Sequence, residues 1–82
     1  MKADQIKALL FEELSNLAPE TDPSAIDADA NMREALDLDS MDFLNLVIAL
    51  HRRLGIEIPE AEYGELRTVN RTIGYLVAKS SG

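Results

Sequence analysis

Leu38-Asp39-Ser40-Met41-Asp42-Phe43-Leu44-Asn45-Leu46-Val47-Ile48-Ala49-Leu50-His51-Arg52-Arg53-Leu54-Gly55 is the stretch whose reading decides the fold. It carries a start signal, a periodic middle and a stop signal. Asp39 is a good N-cap, because its carboxylate accepts a backbone N–H of the first turn. Asp42 lies in that turn, where the helix dipole favours an acid. Arg52 and Arg53 lie in the last turn, where the dipole favours cations. Gly55 suits the left-handed residue that closes a helix. The spacing predicts a helix from Ser40 to about Leu54.

The helix has two apolar stripes. With Ser40 at zero and about 100° per residue, Phe43, Leu46, Val47, Leu50 and Leu54 fall between about 240° and 340°. That is the expected core stripe. Met41, Leu44 and Ile48 fall near 100°, 40° and 80°, well away from it. Asp42, Asn45, Ala49 and Arg53 fill the polar sector between. A helix on a small core needs one apolar face. Either the long connection described next covers the second, or it is a patch for docking partners beside Ser40. Met41 is adaptable enough for several partners in turn. His51 and Arg52 flank its far end.

Upstream, Ile6, Leu9, Leu10, Leu14 and Leu17 recur at three- and four-residue steps and predict a helix from Ala3 to Leu17, its apolar face widened by Phe11. Pro19 and Pro23 prevent its continuation. Residues 18–38 then form a connection unusually long for so short a chain. Ile26, Met32, Leu36 and Leu38 can anchor it, and Asn31 with Glu34 resembles a capping box opening a short turn from Met32 to Leu36. Downstream, Ile56-Glu57-Ile58-Pro59 reads as extended. Pro59 opens a short helix over Glu60 to Tyr63, ended by Gly64. Thr68 caps a last helix from Val69 to about Lys79, with Val69, Ile73, Leu76 and Val77 as its inner stripe. The expected fold is all-α: a small four-helix bundle with a long first loop and a short third helix. The domain is expected to span 1–79, with 80–82 a frayed tail.

The chain has 82 residues, no cysteine and a net charge of −7. A chain this short buries only about 60–65% of its unfolded surface, so one modestly stable domain is expected. Residues 1–42 hold 11 acidic and 3 basic side chains, and residues 43–82 hold 4 and 5. This acidity argues against a nucleic-acid ligand, which needs a basic surface, and suits a basic protein partner. Charges interrupt the N-terminus, so no signal-peptide pattern is present, and no apolar run approaches the ~20 residues that cross a bilayer. The expectation is a cytoplasmic monomer without membrane insertion.

Ser40 stands at a helix start among Asp37, Asp39 and Asp42, and no Lys or Arg occurs between Arg33 and Arg52. With no base to activate it, it is a poor nucleophile of its own. It reads better as a place where another enzyme attaches a group. A Ser-His-Asp arrangement fails, because His51 lies 11 residues on, about 16 Å along the same helix. An EF-hand start at Asp37 fails because Met41, Asp42 and Ile48 occupy ligand and glycine positions, and a start at Asp27 meets Met32 and Leu38 where Gly and Glu are needed.

The chain resembles the acyl carrier proteins. That family's attachment motif is Asp-Ser-Leu, and here Asp39-Ser40-Met41 departs from it mildly. The likeness continues through Leu46-Val47-Ile48-Ala49-Leu50, Ile56-Glu57-Ile58-Pro59 and Thr68-Val69 to Ile73-Gly74-Tyr75-Leu76. It covers essentially the whole chain. The resemblance implies a non-enzymatic carrier. Ser40, between Asp39 and Met41, would receive 4′-phosphopantetheine from coenzyme A by a separate phosphopantetheinyl transferase. The arm's thiol would hold acyl intermediates as thioesters, for fatty-acid or specialised lipid or polyketide biosynthesis, and pass among acyl-loading and acyl-transferring enzymes. Those partners would dock on Met41, Asp42, Leu44, Asn45, Ile48, His51 and Arg52.

The surrounding carboxylates are expected to turn the phosphate outward and leave the arm mobile. Loading an acyl chain inside the bundle would require core helices to separate. In many such carriers the second helix stays acidic after its apolar run, whereas here it reads His51-Arg52-Arg53. That departure points to a dedicated pathway. Two other readings stay open: a peptidyl or aminoacyl carrier, normally part of a larger enzyme where this chain reads as free-standing, and an unmodified helical adaptor using the same patch.

Overall fold

In the computed structural model, which describes residues 2–80, the chain is all-helical among those residues. Helix α1 spans Ala3–Leu17, α2 Met32–Ala35, α3 Ser40–Leu54 and α4 Val69–Ser80. Two 3₁₀ segments, Pro23–Ala25 and Glu60–Leu66, complete it. The expected bundle is present: three long helices, with Glu60–Leu66 as the short third member.

Each long helix buries one stripe. Ile6, Leu10 and Leu14 of α1 meet Leu46 and Leu50 of α3 and Leu76 of α4 in one apolar cluster. Full burial of such a side chain contributes about 1.5–3 kcal/mol. The inner stripe of α4 differs from expectation. Val69 and Leu76 are buried, but Ile73 and Val77 are half-buried and Thr72 is fully buried. Thr72 is tolerated there because its Oγ1 donates to the Thr68 carbonyl at 2.7 Å, so no polar atom is orphaned. Thr68 caps α4, its Oγ1 accepting from Arg71 N–H at 3.0 Å.

The long first connection is pinned rather than loose. Asp22 accepts from the Ser24 N–H and hydroxyl, which turns the chain and holds the Asp22 carboxyl below its usual pKa. Met32 N–H donates to Arg67 O, and Asn70 N–H to Ala28 O, both at 3.0 Å. Met32, Leu36 and Leu38 are buried and Ile26 half-buried. Asn31 Oδ1 accepts from the N–H groups of both Arg33 and Glu34, capping α2.

Two boundaries move. The short helix does not stop at Gly64 but runs on to Leu66, whose side chain is fully buried. Tertiary burial there overrides a local stop signal. Ser80, expected in the tail, is the last residue of α4. Its Oγ donates to Val77 O. Residues 81 and 82 of the expected tail lie outside the described residues.

Candidate functional site

A left-handed turn sets up the head of α3. Asp37 adopts φ 55°, a conformation few residues other than glycine accept, though aspartate tolerates it. Leu38 N–H then reaches back to Arg33 O at 2.8 Å, and Asp37 N–H to Glu34 O at 3.3 Å. These two bonds form the paired closure of a glycine-type helix end. The chain reverses there and delivers Asp39 and Ser40.

Asp39 and Asp42 cap the helix reciprocally. Asp42 N–H donates to Asp39 Oδ1 at 2.8 Å, and Asp39 N–H to Asp42 Oδ2 at 3.2 Å. Aspartate thus plays the part usually taken by glutamate at the third position. Both carboxylates are therefore occupied with backbone. Ser40, the first residue of α3, is exposed.

Arg33 alters the electrostatics expected for that serine. From α2 its guanidinium lies over the Phe43 ring, 5.0 Å from the centroid. Its Nη2 stands 3.5 Å from Ser40 Oγ, a long and weak hydrogen bond. A cation thus stands beside a hydroxyl that looked wholly acidic in its surroundings. No linear spacing reveals this contact, because the reversal at Asp37 creates it.

Ser40 also edges a cleft of about 500 Å³ between α3 and the 3₁₀ helix. Its lining includes Asn31, Arg33, Phe43, Glu60, Tyr63 and Arg67. Phe43 and Tyr63, both in its lining, meet edge-to-face with centroids 5.5 Å apart. The 3₁₀ helix packs chiefly on α4. Glu62 accepts from the Tyr75 hydroxyl and pairs with Lys79. Burial and this carboxylate push the Tyr75 pKa up to about 12. Glu65 pairs with Arg71.

The second apolar stripe of α3 is uncovered. Met41, Leu44 and Ile48 are 66%, 41% and 51% exposed, while Leu46 and Leu50 on the opposite face are fully buried. The long connection therefore does not cover the stripe. Asn45 and Arg52 are exposed beside it, and Asp42 is half-buried by its capping role. His51 is exposed with Nδ1 2.6 Å from Ile56 O, so that nitrogen carries the proton. Arg53 faces away, pairing with Glu12 at 3.0 Å and Glu13 at 3.1 Å, which raises its pKa.

A family profile described as "Phosphopantetheine attachment site" matches residues 5–76. An acyl carrier protein of Helicobacter hepaticus is 35% identical over 75 residues, covering 92% of both chains. Others, from Thermosynechococcus vestitus and Campylobacter hominis, are 32% and 34% identical over 73 residues; each alignment covers 89% of this chain, and 84% and 86% of those relatives respectively. The chain belongs to the acyl carrier protein family. Acyl carrier proteins are carriers rather than enzymes, and their prosthetic group is a covalently bound 4′-phosphopantetheine. Membership also implies encounters with a phosphopantetheinyl transferase and with acyl-handling enzymes in general. The site fits such a group. It offers an exposed hydroxyl, first-turn N–H groups without intrahelical partners, and a guanidinium within reach of a phosphodiester. No helix among the described residues is long and apolar enough to cross a membrane.

Proposed function

We propose that Ser40 is the attachment residue and that the arm carries acyl intermediates as thioesters. The transfer is a phosphoryl-type substitution. Ser40 Oγ gives up its proton to a base of the transferase and bonds to the phosphorus that bears pantetheine. The bond from that phosphorus to the nucleotide half of coenzyme A breaks, and the nucleotide leaves with the electron pair. The single observation that supports this reading is an exposed hydroxyl at the head of α3 that, among the described residues, is hydrogen-bonded to no histidine or carboxylate. His51, the sole histidine, lies 11 residues further along α3 and has Nδ1 engaged with Ile56 O. The helix N-terminus and Arg33 both favour the anion that attachment creates. Incubation with coenzyme A and a broad-specificity phosphopantetheinyl transferase tests it. The wild type is expected to gain the mass of the arm and Ser40→Ala to gain none; equal gain on both would overturn the assignment.

The face of Met41, Leu44 and Ile48, bordered by Asp42, Asn45, His51 and Arg52, is proposed as the surface partners share. The carrier is proposed to act as a cytoplasmic monomer, its charge of −7 keeping copies apart, in fatty-acid or specialised lipid or polyketide synthesis. The cationic end of α3 supports a dedicated pathway. Arg53 is taken by Glu12 and Glu13, so Arg52 is the cation a partner meets. Arg52→Glu is expected to improve recognition by general fatty-acid enzymes, and an unchanged rate would remove the dedicated-pathway argument.

A further inference from the structure

We infer that Arg33 is a positioning residue that holds the phosphodiester on Ser40 and tethers the base of the arm along the cleft. This rests on Ser40 being the attachment residue. Three observations carry it. Arg33 Nη2 already stands 3.5 Å from the oxygen that becomes the ester bridge. The phosphate oxygens will project from that bridge, so the same guanidinium meets them without leaving the Phe43 ring, over which it sits at 5.0 Å. Among the described residues the guanidinium has no carboxylate in ion-pair contact competing for it. The chain's other partnered arginines, Arg53 and Arg71, are held by glutamates. Two of the neighbouring acids, Asp39 and Asp42, are engaged with each other's backbone N–H.

A guanidinium and a phosphodiester form short, charge-assisted hydrogen bonds, with two parallel N–H donors available to two oxygens. The contact with the Phe43 ring holds the guanidinium in place and limits the rotamer freedom lost on binding. The bound phosphate then sits on the cleft side of α3. The base of the arm would then lie along the cleft whose lining includes Phe43, Tyr63 and Arg67. The expectation of an outward, freely swinging phosphate is thereby replaced by one of a restrained base and a mobile tip.

The test uses the full chain after transferase loading, with mass spectrometry confirming one arm per molecule. Phosphorus NMR relaxation reads the mobility of the phosphodiester. Two variants separate charge from packing. Arg33→Met keeps a long side chain over Phe43 and removes the donors, and Arg33→Lys keeps a cation without the fork. In the wild type the phosphorus line should be broad, like the protein, and the Arg33 Nε–Hε signal should shift on loading. Arg33→Met should narrow the line toward that of free phosphopantetheine, and Arg33→Lys should fall between. Lys7→Met, on the exposed side of α1, should leave the line unchanged. Equal phosphorus relaxation in wild type and Arg33→Met, with both folded by circular dichroism, overturns the role of Arg33 while leaving attachment intact. Absence of any mass gain on the wild type overturns attachment at Ser40 and the role of Arg33 together.

Discussion

The two faces of α3 use the same kinds of side chain for opposite ends. Leu46 and Leu50 on one face are fully buried, while Leu44 and Ile48 on the other are 41% and 51% exposed. Hydropathy cannot separate these residues; only their angle around the axis does. One face contributes to folding, and the other spends nothing on folding and stays available. The difference teaches that an apolar residue in a small domain is informative when it is on the wrong side.

That contrast can be broken by mutation. Leu46→Ala or Leu50→Ala should cost about 2–5 kcal/mol through lost contacts and a residual cavity. Denaturant titration reads this as a fall in midpoint at constant slope. Between the faces lies the cap that sets where the helix starts. Asp39→Ala removes it and should cost about 1 kcal/mol. Asp37→Gly relieves the left-handed turn and should stabilise by about 0.5–1 kcal/mol, read as a rise in Tm. Met41→Ala, Leu44→Ala and Ile48→Ala should each shift stability by no more than about 0.5 kcal/mol. Their effect should appear in partner turnover instead. If Ile48→Ala proved as costly as Leu50→Ala, the two faces would not differ in kind.

Much of this architecture was legible in the chain. The bounds of α1 and α3 follow from caps and apolar spacing, because Asp39 and Gly55 are local signals acting on local backbone. The exposed stripe of α3 also followed from spacing, although nothing in the sequence decided whether the connection covered it. What escaped is non-local. Leu66 draws the 3₁₀ helix past Gly64 because burial outweighs a local stop. Thr72 enters the core because the Thr68 carbonyl satisfies its hydroxyl. Arg33 reaches Ser40 only because the chain doubles back at Asp37, an aspartate where glycine would have announced the reversal. The occupied state of Asp39 and Asp42 likewise depends on geometry that composition does not carry.

The fastening of the 3₁₀ helix Glu60–Leu66 has a mechanical consequence. Its polar ties run to α4, through Glu62 with Tyr75 and Lys79 and through Glu65 with Arg71. Toward α3, among the described residues, it makes a ring contact and no hydrogen bond or ion pair. The bundle therefore has a grain. Parting the Phe43–Tyr63 contact strips apolar surface without breaking a hydrogen bond or ion pair between those two helices, so the polar resistance to opening lies on the α4 side and at the flanking His51–Ile56 and Met32–Arg67 bonds.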